Sequence, residues 1–314
     1  MNTFEVSVVI PLFNKARFIR ATLQSALAQS HAANEIIIVD DHSTDGGVAV
    51  IKELLGAVGG TQVRLVRQAN AGPGPARNRG IAEANSNWIA FLDADDLWQP
   101  NHLATLAEIA AQCPAAEVVA ARHERLVAAH SLPIPDDSPV AARRIDFFRE
   151  TQKGEIVQTS GLAVRRGTIV KAGGFGAFYP GEDLDLWIRL ALDHVIAVSA
   201  RATALYVQHT GGLMDQLTES KPFNAEHQPM FASLDAALAD PRKATLHNDI
   251  RGLRDSLLLN SVKQELYCGN AAAARTLIAH CDRLGATVPT YYRFLAKLPS
   301  PLLFPALRIA VRLR

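Results

Sequence analysis

Fully apolar runs alternate with amphipathic segments from Val6 to Asp93, and this alternation constrains the fold more than any other feature of the chain. Val6 to Leu12 is a continuous apolar stretch closed by Pro11 and Asn14, the pattern of a strand covered on both faces. Phe18, Ile19, Leu23, Ala26 and Leu27 then recur at helical spacing, and Glu35 to Val39 gives a second buried strand ending at Asp40-Asp41. The alternation continues with a helix at Val48–Leu55, a strand at Val63–Val66, a helix from Pro75 to Ala84 and a strand at Trp88–Leu92. Repeated βαβ units of this kind predict a Rossmann-like α/β fold with a mostly parallel central sheet flanked by helices.

Further along, a helix at Leu103–Gln112, a strand at Glu117–Ala121 and a loop at Ala128–Pro139 are expected. A short strand at Thr159–Val164, a helical turn at Thr168–Ala172, a helix at Asp183–Leu192 and strands at Val195–Ser199 and Ala204–Val207 follow. From Pro222 the pattern is helical to the end. Residues 1–221 are therefore expected to form the α/β domain and 222–314 an α-helical extension, within the length that one large domain and a smaller appendage need.

Charge narrows the partners. The net charge of +1 provides no broad positive field for a phosphate backbone, so nucleic acid is not expected as a ligand. Only Cys113, Cys268 and Cys281 occur, without metal spacing, as free thiols in a reducing compartment would. No basic leader opens the chain and no apolar run reaches the ~20 residues of a membrane span, so a cytoplasmic protein is expected. Leu302 to Arg314 sets Leu303, Leu307, Val311 and Leu313 beside Arg308, Arg312 and Arg314. Such a helix can lie peripherally on an anionic inner membrane face or pack back on protein.

In a doubly wound sheet the loops beyond the carboxyl ends of the strands converge on one crevice, and the polar residues gather there. Asp93-Ala94-Asp95-Asp96 ends an apolar strand; such carboxylates hold a cation or cap a helix, and hard oxygen donors suit Mg²⁺ or Mn²⁺. Asp40-Asp41-His42-Ser43-Thr44-Asp45 ends another strand, where an acid can accept the imide N–H of uracil or cap the next helix. Gly72 to Gly80 has the glycines of a phosphate loop, but Pro73 and Pro75 lack the N–H groups of such a cradle. What remains is a helix start presenting Arg77 and Arg79 toward negative charge or solvent. Glu182 and Asp183 open an amphipathic helix, where one carboxylate can serve as a general base or simply favour the helix N-terminus. His209, before Gly211-Gly212, is a structural or metal-ligating histidine.

Taken in order, Val8-Val9-Ile10-Pro11-Leu12-Phe13-Asn14, Ile38-Val39-Asp40-Asp41-His42-Ser43-Thr44-Asp45, Gly72 to Asn78, Phe91-Leu92-Asp93-Ala94-Asp95-Asp96 and Gly181-Glu182-Asp183 resemble the family-2 glycosyltransferases of the GT-A fold. The resemblance covers about residues 4 to 212. It implies an inverting, metal-dependent transfer of one sugar from a nucleotide diphosphate-sugar, with uridine as the expected nucleoside, to an acceptor hydroxyl. A saccharide or lipid-linked saccharide is the implied acceptor, in cell-surface polysaccharide or glycolipid assembly. Asp95 then binds Mn²⁺ or Mg²⁺ and Asp93 lies nearer the ribose. Asp40, with Asp41 beside it, meets the nucleobase, while Pro11 and Asn14 wall the nucleoside. Arg77 contacts the donor, Asp183 is the catalytic base, Glu182 recognises acceptor or sugar, and His209 stands where some members place a further metal ligand. His42 replaces a commoner glycine, and Gly74-Pro75 replaces the usual small residues before the alanine-arginine step. A sugar-nucleotide-forming nucleotidyltransferase or a non-catalytic sugar-binding module are the competing readings. The first wants a glycine-rich loop after the first strand, and the second wants the acids at 95 and 183 lost; neither condition holds.

Overall fold

The computed structural model describes residues 4–55, 61–127, 135–154, 157–178, 180–208 and 229–298. Its first half runs β1 (Val6–Leu12), α1 (Ala16–Leu27), β2 (Glu35–Asp40), α2 (Gly47–Leu55), β3 (Gln62–Arg67), α3 (Pro73–Glu83) and β4 (Trp88–Phe91). Val6, Val8, Ile10 and Leu12 of β1 share one core with Ile19 and Leu23 of α1 and Ile51 of α2. Val9 points to the other face, under α3. Burial on both faces is why this strand reads as an unbroken apolar run. Burying these side chains contributes roughly 1.5–3 kcal/mol each against the entropy of ordering the chain.

The chain then forms β5 (Leu97–Trp98), α4 (His102–Gln112), β6 (Ala116–Val127), β7 (Arg143–Arg144), α5 (Phe147–Thr151), β8 (Leu162–Arg165), α6 (Arg166–Lys171), α7 (Glu182–Asp193) and β9 (Val195–Gln208). The sheet order is β3-β2-β1-β4-β8-β6-β9-β5, with β7 also paired to β9. β1 to β4, β6 and β9 run one way; β5, β7 and β8 run against them. The chain moves outward from β1 to β3 and returns to β4 on the opposite side of β1. That reversal is the switch point at which ligands of such sheets bind. Leu12 pairs with Asp40 and Val9 with Phe91, so Asn14, Asp41 and the acids after β4 all emerge at the same edge.

Three local expectations are revised. The segment Val195–Gln208 is one strand rather than two, because its pairing with β6 continues through register shifts at Ala121/Arg122 and Arg122/His123 that absorb the polar interruption. The strand expected over Glu117–Ala121 runs on to Val127 for the same reason. Thr159–Gly161 is a 3-10 turn, and the strand begins only at Leu162. β5, β7 and α5 are too short for hydrophobic periodicity to announce them.

The chain divides into two compact units, Met1–Thr210 and Gly211–Arg314. The second contains α8 (Pro229–Ala239), α9 (His247–Tyr267), α10 (Ala271–Arg283) and α11 (Thr290–Leu295). It has its own apolar core, with Leu234, Ile250, Leu253, Leu258, Val262 and Leu277 buried. Within it the buried Arg254 is paired with Asp235 at 3.2 Å and Asp255 at 3.0 Å. The boundary expected at Pro222 and the basic segment Leu302 to Arg314 lie outside the described residues. Cys113, Cys268 and Cys281 form no disulfide, and no described helix is long and apolar enough to cross a membrane.

Candidate active site

The loops after β1 and β2 are stitched together by short polar side chains. Asn14 adopts φ 53°, a left-handed conformation that asparagine tolerates better than most residues. Its Oδ1 accepts the Thr44 N–H at 2.8 Å, and its own N–H donates to Ser43 Oγ at 3.1 Å. Asp45 accepts N–H groups from both Ala16 and Gly47, satisfying donors at the starts of α1 and α2. Asp40 is fully buried; its Oδ1 accepts the Ser43 N–H at 2.9 Å, and Arg67 Nε lies 3.0 Å from Oδ2. Asp41 accepts from Gln68 Nε2 and Ala71 N on one oxygen and from Gly72 N on the other. Both of its oxygens are thus engaged in holding the loop that leads into α3. Pro11 is half-buried in β1 opposite Val39.

That loop delivers Arg77. Gly72 at φ 95° turns the chain into α3, and Pro73 opens the helix where its missing N–H costs nothing. The helix is pressed tightly against the loop before α7: a Cβ at Gly74 would stand 2.2 Å from the Gly176 carbonyl oxygen. Asn78 exchanges two hydrogen bonds of 2.8 Å with the Phe175 backbone. Arg77, 5% exposed, donates from Nη1 to Glu182 Oε1 and from Nη2 to Asp93 Oδ1, each at 2.8 Å. Its guanidinium lies 5.2 Å from the Phe175 ring centroid. Burial works against the charge of Arg77, but Asp93, Glu182 and Asp183 outweigh it and hold its pKa above the ordinary value. Burial also pushes Glu182 up, to about 7, with Arg77 opposing and Asp183 adding. Glu182 Oε2 is buried with no hydrogen-bond partner among the described residues. Arg79 is on the exposed side of the helix, paired with Glu83.

The acids after β4 are held from several sides. The Thr22 hydroxyl of α1 donates to the Ala94 carbonyl at 2.9 Å, pinning the turn. Asp95 forms an ion pair with Lys15, the residue just before α1. Asp96 is buried, accepting the Ser160 hydroxyl at 2.6 Å and the Val207 N–H at 3.1 Å. Burial, then the neighbouring Asp93 and Asp95, raise its pKa well above the usual carboxylate range. Ser160 Oγ also accepts the Asp93 N–H at 3.1 Å, and Thr159 Oγ1 donates to Asp183 Oδ2 at 3.1 Å. The 3-10 turn therefore ties the acids after β4 to the acid at the start of α7.

Arg77 brings Asp93 and Glu182 together, with Asp183 adjacent, and Lys15 joins Asp95 to the loop carrying Asn14. His209 lies outside the described residues. Lys15, Thr159 and Ser160 lie outside the motifs of the sequence. The last two open a segment whose pattern predicts a strand, although paired hydroxyl residues ahead of an apolar run are also a turn signal. Among the described residues no group of three or more His, Cys, Asp or Glu is arranged as a cage for a metal ion. The donor set nevertheless fits one: Asp95, 19% exposed, offers hard carboxylate oxygens. Mg²⁺ is commonly held by one or two carboxylates completed by substrate phosphate oxygens.

Solved structures of low sequence identity share this fold. S. aureus TarS 1–349 in complex with UDP-GlcNAc superposes with a TM-score of 0.62 at 17% identity, covering 84% of this chain and 73% of that one. The mannosyltransferase PcManGT from Pyrobaculum calidifontis, in complex with GDP-Man and Mn²⁺, gives 0.61 at 18% identity, covering 96% and 86%. Among curated proteins, the uncharacterized glycosyltransferase YibD of Escherichia coli (strain K12) is 43% identical over 109 residues, 35% of this chain and 31% of its own length. The succinoglycan biosynthesis protein ExoO of Rhizobium meliloti (strain 1021) is 40% identical over 105 residues, 33% and 29%. The chain thus spans about a third of the length of the curated relatives it matches. The family model for glycosyl transferase family 2 matches residues 7–167, just over half of the chain and every strand-end acid from Asp40 to Asp96. The fold is GT-A, and the chain belongs to glycosyl transferase family 2.

Proposed function

We propose that this protein transfers one sugar from a nucleotide diphosphate-sugar, with UDP as the expected nucleotide, to an acceptor hydroxyl with inversion at the anomeric carbon. The observation that carries the reading is the Arg77 bridge, which gathers Asp93 from the end of β4 and Glu182 from the start of α7 beside Asp183. Acids from separate elements converge in this way where charge must be handled during a reaction.

In this reading Asp183 is the base. The Thr159 hydroxyl on Oδ2 and the Leu184 N–H on Oδ1 orient its carboxylate, leaving lone pairs to take the acceptor proton. A single in-line displacement through an oxocarbenium-like transition state then inverts the anomeric carbon. Arg77 keeps Asp93 and Glu182 in position and places positive charge near the donor, and Glu182, beside Asp183, stands on the acceptor or sugar side. Pro11, Asn14 and Asp40 take the nucleoside; Asp41 shapes the neighbouring loop. When bound at Asp95, and at His209 if that residue joins it, Mg²⁺ or Mn²⁺ would supply Lewis-acid neutralisation of the leaving diphosphate, with Asp93 on the ribose side. The name of ExoO supports a place in polysaccharide assembly, with a saccharide or lipid-linked saccharide as acceptor, and a cytoplasmic, membrane-peripheral location belongs to the same proposal.

The test is Asp183→Asn, assayed with the UDP- or GDP-sugar that raises the melting point most in the presence of Mn²⁺. Turnover should fall at least ~10²-fold with donor affinity, measured calorimetrically, within about threefold of wild type. Wild-type turnover in the variant removes Asp183 from the role of base.

A further inference from the structure

Every acid after β4 has a counterpart within the chain. Asp93 is matched by Arg77, and Asp96 by the Ser160 hydroxyl and the Val207 N–H. Asp95 is matched by Lys15, with the two side chains only 16% and 19% exposed, so solvent screens the pair weakly. The backbone of Lys15 is fixed, since its carbonyl accepts the N–H groups of Phe18 and Ile19 at 2.9 Å. Its four-carbon stem has several rotatable bonds, and Nζ lies 5.7 Å from the Phe18 ring centroid. Lys15 also follows Asn14, whose contacts to Ser43 and Thr44 build the loop proposed to wall the nucleoside. It therefore stands between the nucleoside side of the crevice and the acid proposed to hold the cation, where a donor's diphosphate must lie.

We propose that Lys15 is a built-in counter-ion that contends with the divalent cation for Asp95 and turns to the diphosphate when the donor arrives. An ammonium and a divalent ion cannot share one carboxylate without strong mutual repulsion. A nucleoside diphosphate gives Lys15 a second anion to pair with, which releases Asp95. Cation and donor thereby bind cooperatively, and the protein alone holds the cation weakly. The proposal rests on the reading of Asp95 as a cation ligand.

The test measures Mn²⁺ binding by the electron paramagnetic resonance of free Mn²⁺, with the full chain and without turnover. Lys15→Met keeps the stem and removes the charge; it should bind Mn²⁺ alone at least about tenfold more tightly than wild type, the scale of one nearby unit charge. Lys15→Gln should do the same if Lys15→Met does not fold, whereas Lys15→Arg should stay within about twofold of wild type. Added UDP should tighten Mn²⁺ binding more in wild type than in Lys15→Met, because the coupling is reciprocal. Unchanged or weaker Mn²⁺ binding in both neutral variants, while Asp95→Asn abolishes binding, overturns the role of Lys15 alone. Wild-type Mn²⁺ affinity in Asp95→Asn, or no binding by any of these proteins, overturns the reading of Asp95 beneath it.

Discussion

Glu182 shows how much of the chemistry here depends on individual burial. It is 2% exposed, and its pKa rises from 4.5 to about 7 through desolvation, with Arg77 opposing and Asp183 reinforcing. A carboxyl whose folded pKa is raised favours the fold in its neutral form. Its contribution is complete below the unfolded value near 4.5 and is lost as pH rises through about 7. The loss amounts to roughly 3–4 kcal/mol at most, the shift from 4.5 to about 7 taken at about 1.4 kcal/mol per unit. Glu182→Gln should therefore gain stability relative to wild type as the buffer moves from pH 5 to pH 7.5. Calorimetric melting of both proteins at the two values checks this, and an unchanged gap between them would show that Glu182 does not titrate in that window. Other groups, such as the buried His102 held to about 3 by desolvation, cancel in the comparison.

At the level of elements, α3 illustrates how packing decides what sequence propensity leaves open. Its composition is poor for a helix, with two prolines and two glycines in eleven residues. The glycines are needed for approach: a Cβ on Gly80 would lie 2.3 Å from Val9 Cγ1, and Val9 is a stiff β-branched residue with no exposure. Gly80→Ala should lower stability by about 1–3 kcal/mol in urea unfolding despite alanine's better helix propensity. Gly167 in α6 meets nothing within 4 Å, so Gly167→Ala should instead be neutral or stabilising by a few tenths of a kcal/mol. Equal effects at the two positions would mean that α3 does not press on β1 as described. Because Arg77 is anchored on this helix, the same close packing sets the geometry of the acids it bridges.

For the whole molecule, the two units each have their own buried apolar set. We propose that residues 1–221 are the nucleotide-sugar-binding and catalytic domain and that 222–314 form a helical extension. A fragment of residues 1–221 should melt cooperatively and bind the donor nucleotide within about threefold of the full chain by calorimetry. A fragment that does not fold would show that the α/β unit depends on the extension.

What the chain's order of residues determined by itself is the α/β architecture and the edge at which the acids gather. Strands covered on both faces must be mostly apolar, and the residues ending them must then be the polar ones, so the pattern alone puts Asp40, Asp93 and Asp95 at strand ends. Glu182 and Asp183 were legible as acids opening an amphipathic helix, and the resemblance implies their roles. Tertiary structure alone decided that Val195–Gln208 is one strand, since pairing with β6 carries it past a polar interruption. It also decided that Asp41 serves the loop before α3, that Arg77 is buried between two acids, and that Lys15, Thr159 and Ser160 meet Asp95, Asp183 and Asp96. Each of these joins residues distant in sequence, and local periodicity carries no record of which side chains meet once the sheet has closed around them.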